Sequence, residues 1–128
     1  MRHTFVLFLI AITMLACGGE SVLVMYDGER KAPEEVATIK TDNVYVMSID
    51  TLSRKYQAIS EKHIEVLPGQ HVISVNYKSW KGRSKDPIEL SFIAEKGHTY
   101  LVKASGGYRT WTAWIIDLAT DSVVAGSP

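Results

Sequence analysis

The stretch VLPGQHVISVNY, residues 66–77, constrains the fold more than any other. Proline presets φ and glycine supplies the positive φ of a type II turn, so Pro68-Gly69 reverses the chain. Beyond it Ile73, Val75 and Tyr77 alternate with Val72, Ser74 and Asn76. That period of two reads as a half-buried strand, and with KHIEVL before the turn the segment reads as a hairpin.

The same grammar recurs along the chain. SVLVMY ends at Asp27-Gly28, ERKAPEE is a polar loop, VATIK stops at Asp42-Asn43, and NVYVMSI reads as a central strand. Residues 52–60 fit a short helix, an edge strand or a loop. IELSFIAE places Ile88, Leu90, Phe92 and Ala94 on one face; Lys96-Gly97 turns the chain, and HTYLVKA returns with Tyr100, Val102 and Ala104 inward. YRTWTAWIIDL is apolar on both faces, as an inner strand would be, and SVVA closes the series. About eight or nine strands at intervals of roughly eight to twelve residues predict an all-β fold, a small β-sandwich of immunoglobulin- or transthyretin-like type. Helical periodicity is confined to the N-terminus.

There, an apolar run from Phe5 to Ala16 follows Arg2. As a helix it covers about 18 Å, short of the roughly 30 Å hydrocarbon core, and its layout is that of a signal peptide. Cys17, the only cysteine, stands directly after Met14-Leu15-Ala16. This resembles the lipobox of bacterial lipoproteins, although Met14 and Leu15 depart from its commonest residues. The resemblance implies cleavage before Cys17 and attachment of fatty acyl groups such as palmitate to it. More than one acyl chain anchors stably where a single chain does not. The expected organisation is a lipoprotein signal peptide over 1–16, a lipidated tether over 17–20 and one sandwich domain over 21–128. Gly18, in place of an aspartate, implies the outer membrane, with the domain facing the periplasm.

With one cysteine the mature chain has no partner for an intramolecular disulfide, and its core must hold it. The sequence carries 14 basic and 14 acidic residues, so no global field favours nucleic acid.

Chemistry-bearing residues are sparse. His63, His71 and His98 share none of the short spacings that pair ligands on a metal, so no metal or other cofactor is expected. His71 and His98 both flank turns, where a ring capping backbone groups explains them. Ser105 lacks the glycine two residues earlier that a nucleophile elbow needs, and SGGY lacks the lysine and helix of a phosphate loop. Glu34 with Glu35, and Asp117 with Asp121, fall in loops or at strand ends and read as surface carboxylates. No catalytic residue is assigned and no enzyme is expected. Tyr108, Trp111 and Trp114 read as core and sheet surface. The segment most open to binding is the loop carrying Lys78, Trp80, Lys81, Arg83 and Lys85, where four cations surround a tryptophan. Anionic lipid headgroups, lipopolysaccharide phosphates or peptidoglycan would suit it.

Taken together, YDGERKAPEEVATI (26–39), VLPGQHVISVNY (66–77), FIAEKGHTYLVKA (92–104) and WIIDLATDSVVA (114–125) resemble a family of uncharacterised proteobacterial lipoproteins. Its pattern runs Tyr-x-Gly, a basic residue, Glu-Val-Ala, a Leu-Pro-Gly-x-His hairpin, an Ala-Glu-x-Gly-x-x-Tyr hairpin and a closing Trp/Ile-x-Asp. The two middle elements are also similar to those of PEGA-type envelope modules. Where the family has proline after the basic residue, this chain has Lys31-Ala32-Pro33. The resemblance implies a lipid-anchored envelope scaffold that acts as a binding or structural accessory module, with an envelope protein as partner. A module recognising envelope glycan or lipid headgroups is the alternative.

Overall fold

The computed structural model describes residues 22–50, 63–79, 82–83, 86–106 and 110–128. They form two facing β-sheets, as the alternating pattern predicts. The six-stranded sheet is built from β1 (Val22–Val24), β2 (Ala37–Asp42), β4 (His63–Val66), β8 (Thr99–Gly106), β9 (Trp111–Asp117) and β10 (Ser122–Gly126), in the order β1-β4-β2-β8-β9-β10. The second sheet has β5 (Gly69–Ser79) at its centre, flanked by β3 (Val44–Ile49) and β7 (Ile88–Ala94), with β6 (Gly82–Arg83) continuing from its far end. Pro33–Glu35 makes one 3-10 turn, with proline at its start where a missing N–H costs nothing.

One continuous core lies between the sheets. Ile39, Ile64, Val66, Tyr100, Val102 and Ile115 enter from the six-stranded side, and Val46, Ile49, Ile73, Val75, Leu90 and Phe92 from the other. β7 and β8 show the cause most plainly, since every second residue is buried along each. Each such Val, Leu, Ile or Phe removed from water contributes about 1.5–3 kcal/mol before the entropy of ordering is counted.

Two expected hairpins are corrected. β4 pairs with β2 and β1, whereas β5 pairs with β3 and β7, so Pro68-Gly69 carries the chain from one sheet to the other. Lys96-Gly97 does the same between β7 and β8. A turn dipeptide states that the chain reverses. It does not state whether the returning strand lies beside its predecessor or opposite it, and both solutions bury the same alternate residues. Gly69 and Gly97 take φ of +126° and +78° at these corners, a region that a side chain disfavours. Adjacent antiparallel pairs do form between β8 and β9, and between β9 and β10.

NVYVMSI is likewise not central among the described residues: β3 pairs there only with β5. Its apolar outward residues Tyr45 and Met47 are half-buried, which mimics the pattern of an inner strand. The pairings β1–β4 and β2–β8 are parallel and join segments far apart in sequence. The expected signal peptide, Cys17 and the ambiguous 52–60 segment lie outside the described residues. No helix among the described residues is long and apolar enough to cross a membrane.

Candidate functional site

Each of the two corners is tied down by a histidine that follows its glycine and by an aspartate at the end of a neighbouring strand. At the first, His71 Nδ1 lies 2.8 Å from Asp50 Oδ2, while Val72 N–H donates to Asp50 Oδ1 at 2.9 Å. The other ring nitrogen, Nε2, is 2.6 Å from the Leu67 carbonyl. A carbonyl only accepts, so Nε2 carries a proton there. This clasp is closed, with both nitrogens engaged on the protein.

The second clasp has the same plan and a different outer end. His98 Nδ1 meets Asp117 Oδ2 at 2.8 Å, and Ala119 N–H donates to Asp117 Oδ1 at 2.9 Å. Asp117 is 5% exposed and held on both oxygens. His98 Nε2 faces Glu95 Oε2 at 3.4 Å, at the surface. Backbone bonds from Thr38 N–H to the His98 carbonyl and from Gly97 N–H to the Val36 carbonyl fasten this corner to β2 and the residue before it. Tyr100 completes the corner beneath, accepting the Glu95 N–H at 2.8 Å.

Charge follows geometry. The hydrogen bond to Asp117 and the two carboxylate charges raise the pKa of His98 against an opposing effect of burial. Burial alone would push Asp50 up, but the Val72 N–H and the His71 ring bring its carboxyl below the ordinary value. Burial holds the Tyr100 hydroxyl above the usual phenol range. For His98 the stabilisation is complete below the unfolded imidazole value of about 6.5 and is lost as pH rises through the raised folded value. For Asp50 it is complete above the unfolded carboxyl value and lost as pH falls through the lowered folded one. The urea midpoint of the wild type should therefore exceed that of His98→Gln most at about pH 5–6, and by less as pH rises above that range. A difference that stays constant across this range would refute the assignment.

A third arrangement explains the Tyr-x-Gly-x-basic motif. Glu65 is 3% exposed, on the outer side of β4. Arg30 donates to it twice, at 2.8 and 3.3 Å, and Tyr26 OH donates at 3.5 Å while accepting the Lys31 N–H at 2.9 Å. The loop thus folds over a buried carboxylate and neutralises it, the condition for burying that charge at all. The hydrogen bonds that Arg30 donates to Glu65, together with the Glu65 charge, raise the pKa of Arg30.

The expected binding loop is only partly described. Lys78 is exposed, with its ammonium 5.4 Å from the centroid of the Tyr45 ring; the backbone of Arg83 pairs with Lys78, and Trp80, Lys81 and Lys85 lie outside the described residues. His63 sits at the start of β4, Ser105 near the end of β8, and Glu34 and Glu35 are exposed on the 3-10 turn. Of the aromatic cluster, Trp111 stacks on Tyr77 at 5.8 Å, Trp114 is half-buried, and Tyr108 lies outside the described residues.

What strand patterning leaves unassigned is the edge of β7. Among the described residues β7 pairs with β5 alone. Glu89, Ser91 and Ile93 point outward, and Ile93 is 69% exposed, the most exposed large apolar residue described. Beside this edge an open groove of about 330 Å³ runs between β7 and the β9–β10 pair, with Ile88, Leu90, Trp111 and Ala113 in its walls. No protein-family model matches the chain, and comparison with curated proteins and with solved structures finds no match.

Proposed function

We propose that the protein is a lipid-anchored envelope lipoprotein that acts as an accessory module for an envelope protein, receiving an extended segment of that partner along β7. The edge of β7, unpaired among the described residues, carries this reading. A free edge presents a row of backbone donors and acceptors, which soluble domains ordinarily blunt with charge, bulges or cover. β10 has such protection in the register shift between Val123 and Ala125. β7 instead holds a regular register along its length, exposes Ile93 and adjoins an apolar groove. Strand addition uses main-chain hydrogen bonds for affinity and neighbouring pockets for specificity. The lipobox-like Met14-Leu15-Ala16-Cys17 supports the anchor, and the resemblance to proteobacterial lipoproteins supports the compartment.

The test uses the intact chain in its native envelope. A photo-crosslinking residue at Ile93 should capture a partner protein, whereas one at exposed Lys40, on a strand flanked on both sides, should not. Ile93→Lys should abolish the partner's co-purification while shifting stability by no more than about 0.5 kcal/mol, as surface substitutions do. Equal capture from both positions would sink the edge reading. Cys17→Ser should release the protein from membranes; continued membrane fractionation with normal processing would sink the anchor.

A further inference from the structure

The two histidine clasps differ at one atom. His71 has its outer nitrogen on a backbone carbonyl, and His98 has its own aimed at a surface carboxylate. The buried Asp117 accepts from Nδ1, which places the proton of a neutral His98 ring on Nδ1 and leaves the Nε2 lone pair facing Glu95 Oε2. Two lone-pair donors then lie 3.4 Å apart. That is long for a hydrogen bond. It is also the edge of a tetrahedron whose centre lies about 2.0–2.1 Å from each vertex, the zinc–nitrogen and zinc–oxygen distance, since such an edge measures roughly 3.4 Å.

We propose that Glu95 and His98 Nε2 bind a divalent transition-metal ion of the zinc class, with Asp117 as the residue that orients the imidazole from behind. A carboxylate on the far nitrogen of a metal-binding histidine fixes its tautomer and raises its basicity. Here that carboxylate is itself fixed by the Ala119 N–H. Candidate ligand atoms of the three residues all lie within 4.8 Å of one another. Imidazole with carboxylate suits zinc, and the corner is held in place by β2 before any ion arrives. Glu95 is two-thirds exposed, so the remaining coordination positions open to water or to a donor from a second molecule. Glu95 and His98 form an i, i+3 pair brought beside Asp117 only by the β8–β9 pairing.

The experiment titrates the full-length protein with Zn²⁺ alone, following heat and the imidazole resonances by NMR. One ion should bind per chain, moving the His98 ring signals and leaving those of His71 in place. His98→Gln and Glu95→Gln should each weaken binding at least about tenfold, and Asp117→Asn by roughly 10–100-fold. Asparagine retains an acceptor for the Ala119 N–H and can donate to Nδ1, which puts the ring proton on Nε2 and removes the ligand. If Asp117→Asn does not fold, the other two variants decide. Unmoved His98 signals at saturating Zn²⁺, or undiminished binding in either His98→Gln or Glu95→Gln, would overturn the proposal.

Discussion

Replacing Tyr100 with alanine is expected to cost about 3–5 kcal/mol of folding stability, the range for emptying a fully buried aromatic site. Tyr100 is the largest of the fully buried side chains among the described residues. Its ring, on β8, meets Phe92 of β7 edge-on, with centroids 4.9 Å apart and planes at 62°. The contact therefore spans the gap between the sheets at the corner where the chain crosses it. Such aromatic pairs contribute about 0.5–1.5 kcal/mol beyond the area they bury. Tyr100→Phe keeps this packing and loses only the acceptor for the Glu95 N–H, at a cost of about 1 kcal/mol. Urea unfolding separates the two: both variants should shift the midpoint with the slope unchanged, the alanine far more. Equal shifts would mean that the hydrogen bond, and not the ring, holds this corner.

The second large effect is at Gly126, where even alanine should cost about 2–5 kcal/mol through left-handed strain and overpacking together. Its φ is +72°, and an added Cβ would fall on the Ala113 carbonyl oxygen while lying 2.9 Å from both the Trp114 Cα and the Leu90 Cδ2. Two of these neighbours are backbone and cannot rotate away. The clash is relieved only by lifting the end of β10 from β9, which also disturbs the wall of the groove beside β7. Hydrogen exchange should accordingly accelerate at the β9 and β10 amides near Trp114 and Ala125, ahead of those in β5. Protection unchanged along β10, with a midpoint within about 0.5 kcal/mol of wild type, would contradict the close approach.

Much of the core was legible one residue at a time. The inward sets Ile88-Leu90-Phe92-Ala94 and Tyr100-Val102-Ala104 follow from a period of two and from turn glycines, because burial on one face of a pleated strand selects alternate residues. The corners were not. Pro68-Gly69 and Lys96-Gly97 carry hairpin chemistry yet move the chain between sheets, since a local turn contains no term for the partner that a strand will find. The partners of the histidines were not legible either, for the same reason. A search for pairs of histidines at short spacing passes over Glu95 and His98, whose orienting partner Asp117 is 19 positions further on than His98. The one available signal was that both His71 and His98 follow a corner glycine closely.

Sequence by itself determined that this chain is all-β, which alternate residues enter its core, and that a lone cysteine follows a short apolar run. These are properties of local period, turn chemistry and composition. Tertiary structure alone decided that β2 runs parallel to β8, that a buried Glu65 is neutralised by Arg30 from a distant loop, and that β7 pairs with β5 alone among the described residues. It also decided that one histidine clasp closes on a carbonyl while its twin opens towards a carboxylate. Each of these depends on which segments meet across long separations, and that choice is made by the joint burial of many strands, to which no single stretch of sequence has access.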